Sequence, residues 1–150
     1  MSAPGGQRFV VGAMVLAIVV TVTYWTLWFA ARSTVASNNR PAYFEFENAF
    51  PAADGWLVFC LLVATVTVLR RSAAASLWLA AAGGSAIYLF CMDVLYDLER
   101  GIWWHSGAGG WIELVINVLT LALGGLLLGW TWRNREASRG PADDQPRTRK

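Results

Sequence analysis

A chain of 150 residues that is 56% hydrophobic, 15% charged and +2 in net charge lies outside the composition of a soluble globular domain. Its apolar residues fall in four long runs that use up most of the length, which excludes a separate soluble domain. The basic residues flank those runs instead of lining a groove, which excludes nucleic acid as a partner.

The first run covers residues 9–31, enough for a helix rising about 1.5 Å per residue to cross about 30 Å of hydrocarbon. Arg8 before it and Thr34-Val35-Ala36 after it imitate a signal peptide. The run is longer than a signal core, however, and Tyr24, Trp25 and Trp28 do not suit one, so it is expected to be retained. In the loop at 37–50, Asn38-Asn39-Arg40-Pro41 marks a break. The aromatic and acidic alternation of Tyr43-Phe44-Glu45-Phe46-Glu47 then predicts an extended segment lying over the helix ends as a cap, with a plain interfacial loop anchored by its aromatics as the alternative.

The second span, 51–69, opens with Pro51 in the first turn, where its missing N–H costs nothing, and sets Asp54 near the positive end of the helix dipole. The third span covers 73–96 and the fourth 111–132. Between these two, Trp103, Trp104 and His105 precede Ser106-Gly107-Ala108-Gly109-Gly110, small residues that let the backbone bend into the last helix. Residues 133–150 are polar, contain Pro141 and Pro146 and lack apolar periodicity, so they read as a disordered basic tail. The expected fold class is all-α: a polytopic membrane protein with one four-transmembrane-helix bundle over 1–132.

Charge placement predicts orientation, because basic residues are retained on the cytoplasmic side near span ends. The N-terminus, the link between spans two and three and the tail hold nine basic and three acidic residues, whereas the opposite side holds three basic and seven acidic. Both termini are expected to be cytoplasmic, in a multi-pass protein of the plasma membrane. Tryptophans suit both interfaces: Trp25, Trp28, Trp56, Trp103, Trp104 and Trp111 outside, Trp78, Trp130 and Trp132 inside. Lipid gives apolar helices no hydrophobic drive to associate, so small residues should mark close contacts. Gly125 with Gly129, and Ala80 with Gly84, are the expected pairs, within one chain or between copies. Cys60 and Cys91 fall at similar depths, and packing is the expected role of both, with a disulfide or redox pair the alternative.

Ionisable groups in lipid are expensive, and a slab of them occupies the outer half of the spans. Asp93 and Asp97 lie one turn apart, sharing a helix face with Tyr96 and Arg100, while Glu113 and Asn117 repeat the spacing in the fourth span. Near helix N-termini, Asp54 and Glu113 are favoured by the dipole. Asp93 and Asp97, at a C-terminus and close to each other, need compensation from Arg100 and His105, from a retained proton or from a bound cation. Glu47, Asp54, Asp93, Asp97, Arg100, Glu113 and Asn117 are thus the expected ligand-binding set. The sequence has no nucleophile elbow, phosphate loop or Cys/His metal spacing, so no catalytic set, cofactor or metal is expected.

The segments Phe44-Glu45-Phe46-Glu47-Asn48-Ala49-Phe50-Pro51-Ala52-Ala53-Asp54-Gly55-Trp56 and Met92-Asp93-Val94-Leu95-Tyr96-Asp97-Leu98-Glu99-Arg100-Gly101-Ile102-Trp103 carry a resemblance. They resemble small uncharacterised four-helix integral membrane proteins of actinobacterial type, which implies the fold and no activity. Eleven arginines against one lysine suit a GC-rich genome. Small multidrug transporters carry an essential Glu in the first helix, where this chain has only Thr21, Thr23 and Tyr24. The leading expectation is a non-enzymatic membrane protein whose acidic and aromatic cluster organises the bundle and binds a lipid, small ligand or cation. A proton- or cation-coupled transporter acting as an oligomer is the alternative, and a membrane enzyme acting on a lipid or isoprenoid comes third. The expected partners are accordingly membrane lipids, a small ligand or cation, and further copies of the chain.

Overall fold

Apolar runs of about twenty residues call for long helices that bury their backbone groups in lipid, and the computed structural model is built of such helices. It describes residues 4–36, 41–105 and 107–138. The order is α1 (Pro4–Val35), α2 (Pro41–Glu47), α3 (Pro51–Leu69), α4 (Ala75–Arg100), α5 (Ile102–His105) and α6 (Ala108–Ser138). Among the described residues, four stretches are long and apolar enough to cross a membrane: Gly5–Ser33, Pro41–Leu69, Ala75–Arg100 and Gly109–Asn134. The chain is an all-α, multi-pass membrane helix bundle.

Several boundaries differ from the sequence reading for identifiable reasons. The segment expected to be extended is helical, as α2. A period-two alternation of aromatics and acids over five residues does not distinguish a strand from a short helix with rings on several faces. Its last residues run through a turn at 48–50 into α3, where Pro51 and Asp54 occupy the first turn as expected. Helix α6 continues through Ser138, so residues 133–138 are helical where a disordered tail is expected. The rest of that tail, 139–150, lies outside the described residues.

Helix α4 is the central element, packing against α3 on one side and α6 on the other, while α1 leans on α3 and meets α6 only sparsely. Met14, Cys60, Leu61, Ala64, Ala82, Ala86 and Leu127 are fully buried between them. Phe29, Leu62, Leu77, Leu95, Val118 and Trp132 face outward, which suits contact with acyl chains. The two cysteines are free and differently placed, Cys60 buried and Cys91 exposed, so they form no disulfide.

The close α4–α6 approach is built on glycines other than the expected ones. A Cβ on Gly83 would lie 2.9 Å from Leu128 Cγ and 3.2 Å from the Gly124 carbonyl, and one on Gly124 would lie 2.6 Å from Ile87 Cγ1. Gly84, Gly125 and Gly129 have open space around them. The intrachain contact therefore uses the neighbouring member of each Gly-Gly pair, about 100° around the helix. At the other end, Gly101 closes α4 in the left-handed conformation (φ 64°), its N–H reaching the Asp97 and Leu98 carbonyls. Gly110 lets α6 start against α5: a Cβ there would lie 2.5 Å from the Ile102 carbonyl oxygen.

Candidate functional site

The end of the bundle that carries α2 and α5 is organised by aromatic rings from α1. Trp28 is fully buried and donates its indole N–H to Asn48 Oδ1 at 3.2 Å. Tyr43 and Phe44 of α2 pack edge-on against it, and the Arg32 guanidinium lies 4.9 Å from its ring centre. Phe46 stacks on Tyr96 of α4 at 3.7 Å between ring centres. Helix α2 is thus held across the helix ends as a cap, with Tyr43 buried beneath it and Glu47 turned toward the bundle. An interfacial position is expected for Trp28, and full burial corrects it. Trp56, Trp104, Trp111 and Trp132 remain exposed, as interface rings would be.

Under this cap lies a cavity of about 520 Å³ between α1 and α6. Its long walls are apolar, from Phe9, Leu16 and Val20 on α1 to Leu119 and Leu126 on α6. From Glu113 to Leu126 the rise along α6 is about 20 Å. The polar groups gather at the capped end, where Glu47, Asp54, Asp93 and Glu113 line the wall, one from each of α2, α3, α4 and α6. Among the described lining residues there is no Lys, Arg or His. The volume falls within the roughly 300–1,000 Å³ of small-molecule sites, which are mostly apolar with a few convergent polar groups.

Neutral donors serve three of these carboxyls. Trp25 Nε1 donates to Asp54 Oδ2 at 2.8 Å, Tyr24 Oη to Glu47 Oε2 at 3.2 Å and Tyr43 Oη to Glu113 Oε1 at 3.1 Å. Asp93 has no hydrogen-bond or ion-pair partner among the described residues, and the acids Glu47, Asp54, Glu113 and Asp97 act on it electrostatically. Asp54 sits in the first turn of α3, where the dipole helps. Glu113 does not share that benefit, because α6 begins at Ala108 and the dipole's influence fades within the first turn. The expectation that Glu113 is explained by a helix N-terminus is corrected accordingly.

Behind the cavity a second polar group ties α4 to α5 and α6. Asp97, 4% exposed, accepts two hydrogen bonds on Oδ2, from Trp103 Nε1 and Asn117 Nδ2, both at 2.8 Å. Asn117 is 1% exposed, and its Oδ1 is buried without a partner among the described residues. Neither Asp97 nor Asn117 lines the cavity. Arg100 is exposed, with its guanidinium 5.9 Å from the Tyr96 ring centre, and makes no ion pair among the described residues. The expected counterion role of Arg100 is therefore not seen, and the side chain of His105 lies outside the described residues.

The seven expected residues thus divide. Glu47, Asp54, Asp93 and Glu113 converge on one cavity, Asp97 and Asn117 form a separate joint, and Arg100 stands apart. Sequence reasoning missed the donors Tyr24, Trp25, Tyr43 and Trp103. Each falls near a span end, where an aromatic ring is already accounted for by the interface, and no acid lies near Tyr24 or Trp25 in sequence to suggest a partner. No group of three or more His, Cys, Asp or Glu among the described residues is arranged to hold a metal. No protein-family model, curated protein or solved structure matches the chain.

Proposed function

We propose that this chain is a non-catalytic binding protein of the plasma membrane, with both termini cytoplasmic and the capped end outside. In this reading the Asp97–Asn117–Trp103 joint holds the helices, and the cavity between α1 and α6 receives a small molecule dissolved in the bilayer. The observation that carries it is an apolar cleft of about 520 Å³ with all its acidic groups at one end. The cleft runs beside outward-facing side chains of α1 and α6, which suits loading from the bilayer. Coupled transport is the weaker reading. It needs ionisable groups toward the other surface, and the cavity wall there is made of residues such as Phe9, Ala13, Ala122 and Leu126.

The test is retention of a radiolabelled twelve-carbon alcohol by protein in phosphatidylcholine nanodiscs, against empty nanodiscs. Wild-type protein is expected to retain about one probe per chain. Thr120→Trp, which fills the cleft from α6, is expected to retain none while keeping its helical content. Equal retention by wild-type and Thr120→Trp protein would overturn the binding reading.

A further inference from the structure

Resting on that binding reading, we infer that the cavity takes a lipophilic alkylammonium, a single apolar chain ending in a cationic nitrogen. Charge complementarity selects this occupant. Four carboxyls from four different helices surround the capped end, and no described basic side chain shares the wall. The two described arginines at this end are placed elsewhere: Arg32 lies over Trp28 and Phe44, and Arg100 beside Tyr96. Asp93 lines the cavity and has no hydrogen-bond or ion-pair partner among the described residues, so it is the carboxyl left for an incoming group. Tyr24 and Trp25 line the same end, and aromatic faces attract an ammonium through their quadrupoles, more strongly where water is excluded. An anionic head would meet four acids, and a neutral one would leave Asp93 unpaired in a low-dielectric site.

The apolar length sets the rest of the ligand. The wall below the carboxyls continues past Leu89 and Leu119 to Phe9 and Leu126, about 20 Å along the helix axis, and offers only Thr21 and Thr120 hydroxyls as polar groups. An inorganic cation or a short quaternary ammonium would fill only the capped end. A chain lying in the cleft accounts for both halves of it.

Four radiolabelled probes in phosphatidylcholine nanodiscs separate the outcomes: dodecyltrimethylammonium, dodecanol, dodecanoate and tetramethylammonium. Dodecyltrimethylammonium is expected to bind at least about tenfold more tightly than dodecanol, and dodecanoate least of the three chains. Asp93→Asn, which removes a cavity carboxyl with no partner among the described residues, is expected to erase most of that preference, so that the affinities for dodecyltrimethylammonium and dodecanol converge. Glu99→Gln, an exposed acid outside the cavity, is expected to change nothing. Equal binding of dodecanol and dodecyltrimethylammonium would overturn the cationic class while leaving the binding reading intact. Tetramethylammonium binding as tightly as the twelve-carbon cation would overturn the role of the chain. A loss in Glu99→Gln equal to that in Asp93→Asn would reduce the preference to general surface charge. Failure of every chain probe would overturn both the inference and the reading beneath it.

Discussion

Replacing Asp97 with alanine tests what holds the α4–α5–α6 end together. The change removes the acceptor of two hydrogen bonds of 2.8 Å and leaves the part-buried Trp103 indole N–H and the buried Asn117 amide without it. Interhelical hydrogen bonds in membranes average about 0.6 kcal/mol and reach about 1.7 kcal/mol. Two of them place the cost at roughly 1–3 kcal/mol. Asn117→Leu should cost less, because it removes one bond and also removes an Oδ1 that is buried without a partner among the described residues, which is itself unfavourable. Asp97→Asn keeps an acceptor oxygen and should fall between wild type and alanine. Unfolding in mixed micelles with increasing dodecyl sulfate, followed by circular dichroism, gives the ranking. A double-mutant cycle of Asp97→Ala with Asn117→Leu should give a coupling of about 0.5–2 kcal/mol. Additive effects, or an alanine variant as stable as wild type, would refute the joint.

Other perturbations follow from the same geometry. Trp25→Phe removes the donor to Asp54 and should destabilise by about 1 kcal/mol in the same titration. The loss should vanish in an Asp54→Leu background. Gly124→Ala brings a methyl within 2.6 Å of Ile87 and should cost about 1–3 kcal/mol, whereas Gly125→Ala, with open space around it, should stay within about 0.5 kcal/mol of wild type. Gly110→Ala should be worse than either, since backbone atoms of Ile102 and Trp103 stand in its way. A fluorescent reporter fused after Lys150 should mature and fluoresce in cells, and an alkaline phosphatase fused there should be inactive. The reverse pattern would invert the proposed topology.

The spans are legible in the sequence because twenty consecutive apolar residues have few alternatives. The start of α3 is legible because proline and aspartate each have one strong reason to be in a first turn. What is lost is azimuth. Adjacent residues of a helix differ by about 100°, so a Gly-Gly pair does not reveal which member faces the partner. Gly83 and Gly124 make the contact, and their neighbours Gly84 and Gly125 do not. A different ambiguity merged two polar clusters into one: Asp93 and Asp97 share a face of α4 and differ by about 6 Å in height, yet one lines the cavity and the other is buried outside its lining. Hydrogen-bond partners of the acids were hidden for a different reason. Trp25 and Trp103 sit at heights where interfacial anchoring already explains a tryptophan, so nothing in the sequence demanded a second role for their N–H groups.

The account depends most on Asp93 facing the cleft between α1 and α6 while Asp97 does not. A lipophilic carbodiimide added to the protein in nanodiscs, followed by peptide mass mapping, reads this directly through covalent adducts on each carboxyl. The expected result is modification of Asp93 ahead of all other acids, with Asp97 spared and dodecyltrimethylammonium protecting Asp93. Modification of Asp97 as fast as Asp93 would contradict the arrangement from which the binding proposal is drawn.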